Sequence, residues 1–138
     1  MEKELRWDDI EVGEEVGPLE YEISEELIDK FAKAIDDYDD WYMKDSPFGG
    51  RIAHPTFSAT DYVDLMFLKR TPIMSWVHAK QSIELINPAK LGSKVTVTGK
   101  IVDKYIKRGR KYIELVYVAV DQDGQEITRN KYISMAPQ

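Results

Sequence analysis

The sequence predicts an α+β fold in which a curled antiparallel sheet wraps around a mostly apolar helix. Two observations support this prediction. An early strand and two helices come first along the chain, and everything after Thr71 has the pattern of sheet. The second helix, which begins at Pro55, is apolar on more than one side, so other elements must cover it. We therefore expect the later strands to enclose this helix.

Local signals mark the first strand and the first helix. Residues 16–23 contain alternating apolar side chains after a Gly-Pro turn, which is typical of a half-buried strand. Ser24 is a suitable N-cap for the helix that follows, because Glu25 and Glu26 lie in its first turn, where the helix dipole favours negative charge. Apolar residues at helical spacing predict its buried face, namely Leu27, Ile28, Phe31, Ala34 and Ile35.

The second helix is predicted over residues 55–68. Pro55 suits the first helical position, because a backbone N–H at that position has no hydrogen-bond partner within the helix and its absence from proline therefore costs nothing. The apolar residues that follow lie on several sides, so we expect most of the helix to be buried. Asp61 and Asp64 share one side and are expected to mark its water-exposed edge.

Four later segments are rich in Val, Ile, Tyr and Thr with period-two alternation, and we predict strands over 74–88, 95–107, 111–121 and 125–135. Glycine-containing turns between the last three predict two hairpins. The exposed face of this sheet is expected to carry Tyr112, Tyr117 and Tyr132. Such a face is unusually aromatic for contact with water, so we expect a homodimer or a heterodimer with a similar subunit.

Composition narrows the possible functions. The chain has 138 residues, enough for a single domain over 1–138 with a core that needs no disulfide or metal. It has no cysteine, which excludes a disulfide scaffold, a zinc–cysteine site and a thiolate nucleophile. A net charge of -6 argues against nucleic-acid binding. No apolar run approaches the roughly 20 residues of a membrane span, and the acidic start is unlike a signal peptide, so we expect a cytoplasmic protein with no membrane association.

Residues 36–57, DDYDDWYMKDSPFGGRIAHPTF, contain the densest group of candidate site residues. Carboxylates, aromatic side chains, a double glycine and a histidine come together between the two predicted helices. This acidic loop leads to the start of the second helix, where the helix dipole would stabilise an oxyanion or a phosphate. We therefore predict the functional site here.

The residues of this segment resemble those of the MaoC-like acyl-CoA hydratases and dehydratases. The resemblance covers the whole chain and is carried by Ile52-Ala53-His54-Pro55-Thr56-Phe57 after Phe48-Gly49-Gly50, by Asp37 with its acidic-aromatic loop, and by the opening WDDIEVGEEV. It implies the hot-dog fold, an α+β architecture with a curled sheet around a central helix. It also implies an acyl-CoA or acyl-carrier thioester as substrate, with coenzyme A only as part of that substrate and with no metal or other cofactor.

The resemblance also implies a catalytic group formed by Asp37, Tyr42 and His54. In this family water adds across an enoyl thioester, and an aspartate and a histidine activate the water and handle the proton. The family motif places Asp37 at the aspartate and Tyr42 at the histidine. An unperturbed tyrosine pKa of about 10 makes Tyr42 a poor base at neutral pH, although it can donate a proton or orient water.

A second departure from the family lies at the start of the central helix. The family has a glycine whose backbone N–H points at the thioester carbonyl oxygen, whereas this chain has Pro55, which lacks an N–H. Loss of one such donor costs about 100- to 1,000-fold in rate. The Thr56 N–H or hydroxyl is the expected replacement. The substrate-binding residues implied by the resemblance are Gly49, Gly50, Arg51 and Thr56.

Structural roles compete with these assignments. Asp37 lies in a run of carboxylates that solvent alone could satisfy, and His54 is equally explained as a hydrogen-bonded structural histidine. Tyr42 also suits packing in the core or in a dimer. Arg51 faces either a coenzyme A phosphate or Asp45. Three functions therefore stay open: a hydro-lyase, a non-catalytic acyl-binding partner of a catalytic hot-dog subunit, to which the Pro-Thr-Phe ending is similar, and a hot-dog thioesterase.

Overall fold

The computed structural model describes residues 6–69, 71 and 73–138; residues 1–5, part of the acidic start considered above, lie outside the described residues. The strands are β1 (Glu15–Glu22), β2 (Val77–Leu85), β3 (Lys94–Lys107), β4 (Arg110–Val120) and β5 (Glu126–Met135). The α-helices are α1 (Glu25–Ile35), α2 (Asp40–Met43) and α3 (Asp61–Leu68), and short 3-10 helices span Trp7–Asp9 and Ile73–Ser75.

The strands form one antiparallel sheet in the order β1-β3-β4-β5-β2, which packs around the central segment that ends in α3. This is the predicted α+β architecture, and both predicted hairpins are present. Among the described residues, no helix is both long enough and apolar enough to cross a lipid bilayer.

Helix α1 begins as predicted, but its buried face is shifted. The Ser24 hydroxyl oxygen accepts a hydrogen bond from the Leu27 N–H at 3.1 Å, which confirms the N-cap. Ile28 and Ala32 are the fully buried residues of the helix. The predicted face was wrong at its end, because Ala34 and Ile35 belong to the last turn, beyond the buried contact, and are exposed.

The central helix begins later than predicted. Helix α3 begins at Asp61, and between Pro55 and Asp61 the chain makes successive turns in which N–H groups bond the carbonyl three residues earlier. The Ala59 carbonyl does not continue a helical ladder, because it accepts hydrogen bonds from the Tyr117 hydroxyl and the Gln81 side chain, both at 2.7 Å. Contacts with the sheet therefore override the helical pattern in this stretch.

The central segment is buried on the side that faces the sheet. Phe57, Leu65 and Met66 belong to the hydrophobic core. Phe67 and Leu68, at the C-terminal end of α3, are 56% and 58% exposed. The prediction of a buried central helix is therefore correct for the core-facing side and wrong for the last turn.

Asp61 is buried rather than water-exposed. The residue is 8% exposed, and its Oδ2 accepts a hydrogen bond from the Tyr21 hydroxyl at 2.7 Å. Burial raises the pKa of the Asp61 carboxyl from its ordinary value of 3.8 to about 7, against the opposing effect of the Tyr21 hydrogen bond. Asp64 remains exposed. The predicted wet edge of the helix is therefore wrong at Asp61, whose side chain meets β1.

Two of the three tyrosines expected on the exposed face of the sheet are buried. Tyr117 and Tyr132 are 0% and 1% exposed, and Tyr112 is partly buried. In β4 the odd-numbered positions face the core, and a one-residue change of phase moves every side chain to the other face. The expectation of an exposed aromatic sheet face is therefore wrong, and Tyr117 and Tyr132 cannot form a contact surface for a partner.

Candidate active site

An open, mainly apolar cleft of about 370 Å³ lies beside the start of the central segment. This volume is within the usual range for small-molecule sites. Trp41 and Phe48 form one side of its rim and are 44% and 42% exposed, while Leu85 and Ile86 form another side and are 56% and 37% exposed. Buried apolar residues form the floor, namely Ile52, Ala53, Phe57, Ala89 and Ile127.

The loop that presents Phe48 is held by its own hydrogen bonds. The Asp45 carboxylate accepts the Gly50 N–H at 2.7 Å, and the Ser46 hydroxyl donates to the Gly50 carbonyl at 2.6 Å. Gly49 and Gly50 have φ of 86° and 85°, a region in which glycine is unstrained. A Cβ at either glycine would meet no atom within 4 Å, so conformation and not space requires glycine. Neither residue lines the cleft, and their substrate-binding role stays a prediction.

The structure brings Tyr42, His54 and the backbone of Asp37 together beside the cleft. His54 Nε2 lies 2.9 Å from the backbone carbonyl oxygen of Asp37, and the Tyr42 ring stacks on the imidazole with centroids 4.0 Å apart. Tyr42 lines the cleft, whereas Asp37 and His54 are not among its lining residues. His54 thus contacts the Asp37 backbone and the Tyr42 ring, and Tyr42 is the member of the predicted group that lines the cleft.

The environment of His54 fixes its tautomer. A carbonyl oxygen only accepts hydrogen bonds, so Nε2 carries the proton and donates it to Asp37. His54 is 1% exposed, and its Nδ1 is buried with no hydrogen-bond partner among the described residues. The ring also contacts Phe31, with centroids 5.1 Å apart. In this arrangement His54 supports its neighbours through Nε2 and its ring faces.

Tyr42 is suited to donate a hydrogen bond and not to act as a base. Partial burial raises the pKa of its phenol, and the negative charges of Asp37 and Asp39 raise it further. The phenol therefore stays protonated at neutral pH. The partly exposed Asp37 carboxylate accepts the Asp39 N–H at 3.3 Å. In the part of the chain that the structure describes, no three His, Asp or Glu side chains form a group able to hold a metal ion.

Arg51 is engaged within the protein. Its side chain is 14% exposed, and its Nη2 pairs with Asp29 at 2.5 Å. Its Nε donates to the backbone carbonyl of Tyr42 at 2.6 Å. The expected alternative of a contact with Asp45 is wrong, because the guanidinium pairs with Asp29 and Glu25 of α1 instead. Binding of a phosphate by Arg51 stays a prediction.

Thr56 is exposed at the turn that follows Pro55, which lines the cleft. Within residues 6–69, 71 and 73–138, its N–H has no hydrogen-bond partner. The first free backbone donor of the central segment is thus one residue beyond the position where proline removes it.

The sequence did not predict the wall of the cleft formed by residues 85–89, because the strand predicted over 74–88 includes most of it. Strand β2 ends at Leu85, and Asn87 then donates from its side chain to the Glu126 carbonyl at 2.8 Å. The Asn-Pro dipeptide at 87–88 is a turn signal that could have revealed the end of the strand.

Comparison with known proteins identifies the family. The family model described as FAS1-like, dehydratase domain region, matches residues 11–130. Among solved structures, the R-hydratase PhaJ1 from Pseudomonas aeruginosa is similar with a TM-score of 0.80 and 21% identity, covering 98% of this chain and 87% of that chain. The MaoC-like dehydratase from Rhodospirillum rubrum has a TM-score of 0.75 and 18% identity, covering 97% and 98%.

The C-terminally truncated HadBC (3R-hydroxyacyl-ACP dehydratase) complex from Mycobacterium tuberculosis is similar with a TM-score of 0.72 and 18% identity, covering 91% of this chain and 96% of that chain. No curated protein sequence matched this chain. The structural similarities confirm the hot-dog fold. Because the family model matches most of the sequence, the chain belongs to the FAS1-like dehydratase-region family of MaoC-like hot-dog proteins.

Proposed function

We propose that this protein is a hydro-lyase that adds water to, or removes water from, an acyl thioester carried by coenzyme A or an acyl-carrier protein. The observation that carries the proposal is the position of Tyr42, which lines an apolar cleft, stacks on the His54 ring that holds the Asp37 backbone, and is close enough to Asp37 to feel its negative charge. A carboxylate that accepts a proton, a phenol that stays protonated and a pocket for an acyl chain are the parts that hydration requires. Family membership supports the same reaction class.

Each group has a distinct role in the proposed reaction. In the hydration direction, the Asp37 carboxylate takes a proton from water as the water oxygen bonds to C3 of the enoyl group. Electrons of the double bond move toward the thioester carbonyl, and the Thr56 N–H stabilises the developing negative charge on its oxygen. Tyr42 donates a proton to C2 and recovers one from Asp37, which balances the reaction. The acyl chain lies on the apolar floor of the cleft.

A direct assay tests the proposal. Purified protein is incubated with crotonyl-CoA and with longer enoyl-CoAs, and the loss of the enoyl-thioester absorbance is followed. We expect hydration of at least one chain length. The appearance of free coenzyme A thiol without hydration would instead identify a thioesterase. Folded protein that leaves every chain length unchanged, alone and with a partner subunit, would contradict a role as a hydro-lyase.

Substitutions at Thr56 test the replacement oxyanion donor. The variant Thr56→Pro lacks the N–H, and we expect kcat to fall by about 100- to 1,000-fold. The variant Thr56→Ala keeps the N–H and lacks only the hydroxyl, so its kcat should stay within about threefold of wild type. Thermal unfolding of both variants controls for loss of structure. A large loss in Thr56→Ala would assign the role to the hydroxyl.

A non-catalytic partner subunit is the second candidate, and strand β2 favours it. This strand lies at the edge of the sheet, and most of its residues are exposed on both faces. It ends at Leu85, where exposed Leu85 and Ile86 form part of the cleft rim. A second hot-dog subunit, identical or different, would cover this edge and close the cleft from that side. Tyr42 and Pro55, which depart from the family motif, fit a chain that shapes the cleft of its partner.

Co-expression discriminates between the two candidates. The protein is produced alone and together with a hot-dog protein encoded beside it, and hydration is measured in both preparations. Activity of the isolated chain supports the hydro-lyase. Activity that arises only in the mixture, and that survives Asp37→Asn in this chain, supports the non-catalytic partner.

A further inference from the structure

Two backbone carbonyls of the candidate site are held from one short segment of the chain, residues 51–54. Arg51 Nε donates to the Tyr42 carbonyl at 2.6 Å, and His54 Nε2 donates to the Asp37 carbonyl at 2.9 Å. Both predicted reacting residues are therefore anchored by side chains that lie three residues apart.

This segment is itself fixed to the body of the protein. The Ala53 N–H donates to the Ala89 carbonyl at 2.8 Å, and the Leu91 N–H donates to the Arg51 carbonyl at 2.9 Å. An isolated antiparallel bridge joins residue 52 to residue 90 between these bonds. The two donors thus project from a backbone that cannot move without breaking its pairing with the neighbouring segment.

The charge of Arg51 is also paired with two carboxylates of the same chain. Its Nη2 pairs with Asp29 at 2.5 Å and its Nη1 lies 4.0 Å from Glu25, and both carboxylates belong to α1. A guanidinium presents its donors in a rigid planar fork, so one end can hold α1 while Nε holds the carbonyl of Tyr42. Arg51 therefore links α1 to the segment that carries the phenol.

His54 sets the plane of the Tyr42 ring. The two rings stack with an interplanar angle of 29° and centroids 4.0 Å apart, and Phe31 of α1 contacts the same imidazole. Because the imidazole is 1% exposed and held by the Asp37 carbonyl, it forms a fixed surface for the phenol ring.

We propose that Arg51 and His54 are positioning residues, which act on the reaction through Tyr42 and Asp37 and do not touch the substrate. This inference rests on the proposed hydro-lyase function. A displacement of about 1 Å in a reacting group costs about 100-fold in rate. Loss of either anchor should therefore lower kcat and leave substrate binding almost unchanged.

The variant Arg51→Lys tests the first anchor. Lysine keeps the positive charge near Asp29 but lacks the Nε–H that holds the Tyr42 carbonyl. We expect kcat to fall by about 10- to 100-fold and KM to stay within about twofold. Lys30→Gln is the matched control, because it removes an exposed ion pair between Lys30 and Glu26 on α1, the helix that Arg51 contacts, and should change neither constant. A raised KM with unchanged kcat would instead mean that Arg51 binds the substrate and would overturn the proposal.

Two variants test the second anchor. His54→Gln keeps an amide donor for the Asp37 carbonyl but loses the stacking surface, and His54→Phe keeps an aromatic surface but loses the donor. We expect both to lower kcat, while the pH–rate profile of His54→Gln keeps the shape of the wild-type profile. Loss of one limb of that profile would mean that His54 transfers protons itself, which would overturn a positioning role.

Nuclear magnetic resonance separates failure of this inference from failure of the proposed function, because it needs no activity. The chain contains two histidines, so His78→Gln assigns the signals of His54. We expect His54 to be the Nε2–H tautomer, with its ring protons shifted upfield by the Tyr42 ring. The variant Tyr42→Phe should retain this shift, and Arg51→Lys should reduce it. An unchanged His54 shift in Arg51→Lys would show that Arg51 does not position the phenol, whether or not the protein hydrates any thioester.

Discussion

Replacing Asp37 by asparagine should lower kcat/KM for enoyl-thioester hydration by about 100- to 10,000-fold, the range expected for loss of a general acid–base group. Asparagine has nearly the same shape and can still accept the Asp39 N–H, but it cannot take a proton from water. The anchor from His54 should survive, because it holds the backbone carbonyl of Asp37 and not its carboxylate. We therefore expect kcat to fall with little change in KM or in thermal stability.

The neighbouring residue provides a matched control for this prediction. Asp36 caps α1 with φ of 55°, a left-handed conformation that asparagine also adopts readily, and its side chain is exposed. Asp36→Asn removes the same charge one residue away and should keep kcat/KM within about twofold. Equal activities of Asp36→Asn and Asp37→Asn would exclude Asp37 as the base.

Parts of the fold that depend on residues close together in the sequence were predictable. The N-cap at Ser24 and both glycine hairpins were correct, because a cap or a tight turn is determined within a few residues. The start of the central helix was not, because the Ala59 carbonyl is taken by Tyr117 and Gln81, which lie 58 and 22 positions away in the chain. No local pattern contains those contacts.

The candidate site also has a part that the sequence predicted and a part that it did not. The family resemblance implied a group of Asp37, Tyr42 and His54, and in the structure His54 contacts the Asp37 backbone and the Tyr42 ring. The opposite wall of the cleft at residues 85–89 comes from the far end of β2, which only the folded sheet brings near that loop. The single domain, the cytoplasmic location and the substrate-binding glycines stay predictions.

The buried carboxyl of Asp61 should dominate the pH dependence of stability. Its pKa is about 7 in the folded protein, and its ordinary value of 3.8 applies to the unfolded chain. The folded state therefore binds this proton more tightly than the unfolded chain does. The resulting contribution to the free energy of unfolding is fully present below pH 4 and is lost as pH rises through about 7. At about 1.4 kcal/mol per pKa unit, the loss is about 4 kcal/mol.

Asp61→Asn tests this prediction, because its amide oxygen can still accept the Tyr21 hydroxyl but the side chain never ionises. The free energy of unfolding, measured in urea at pH 4, 6 and 8, should match wild type at pH 4 and exceed it by up to about 4 kcal/mol at pH 8. Asp64→Asn, an exposed change on the same helix, should show little of this trend. A difference between Asp61→Asn and wild type that is constant with pH would mean that Asp61 ionises as readily in the folded protein as in the unfolded chain. In that case an interaction in addition to the Tyr21 hydrogen bond would offset the cost of burying the charged carboxylate.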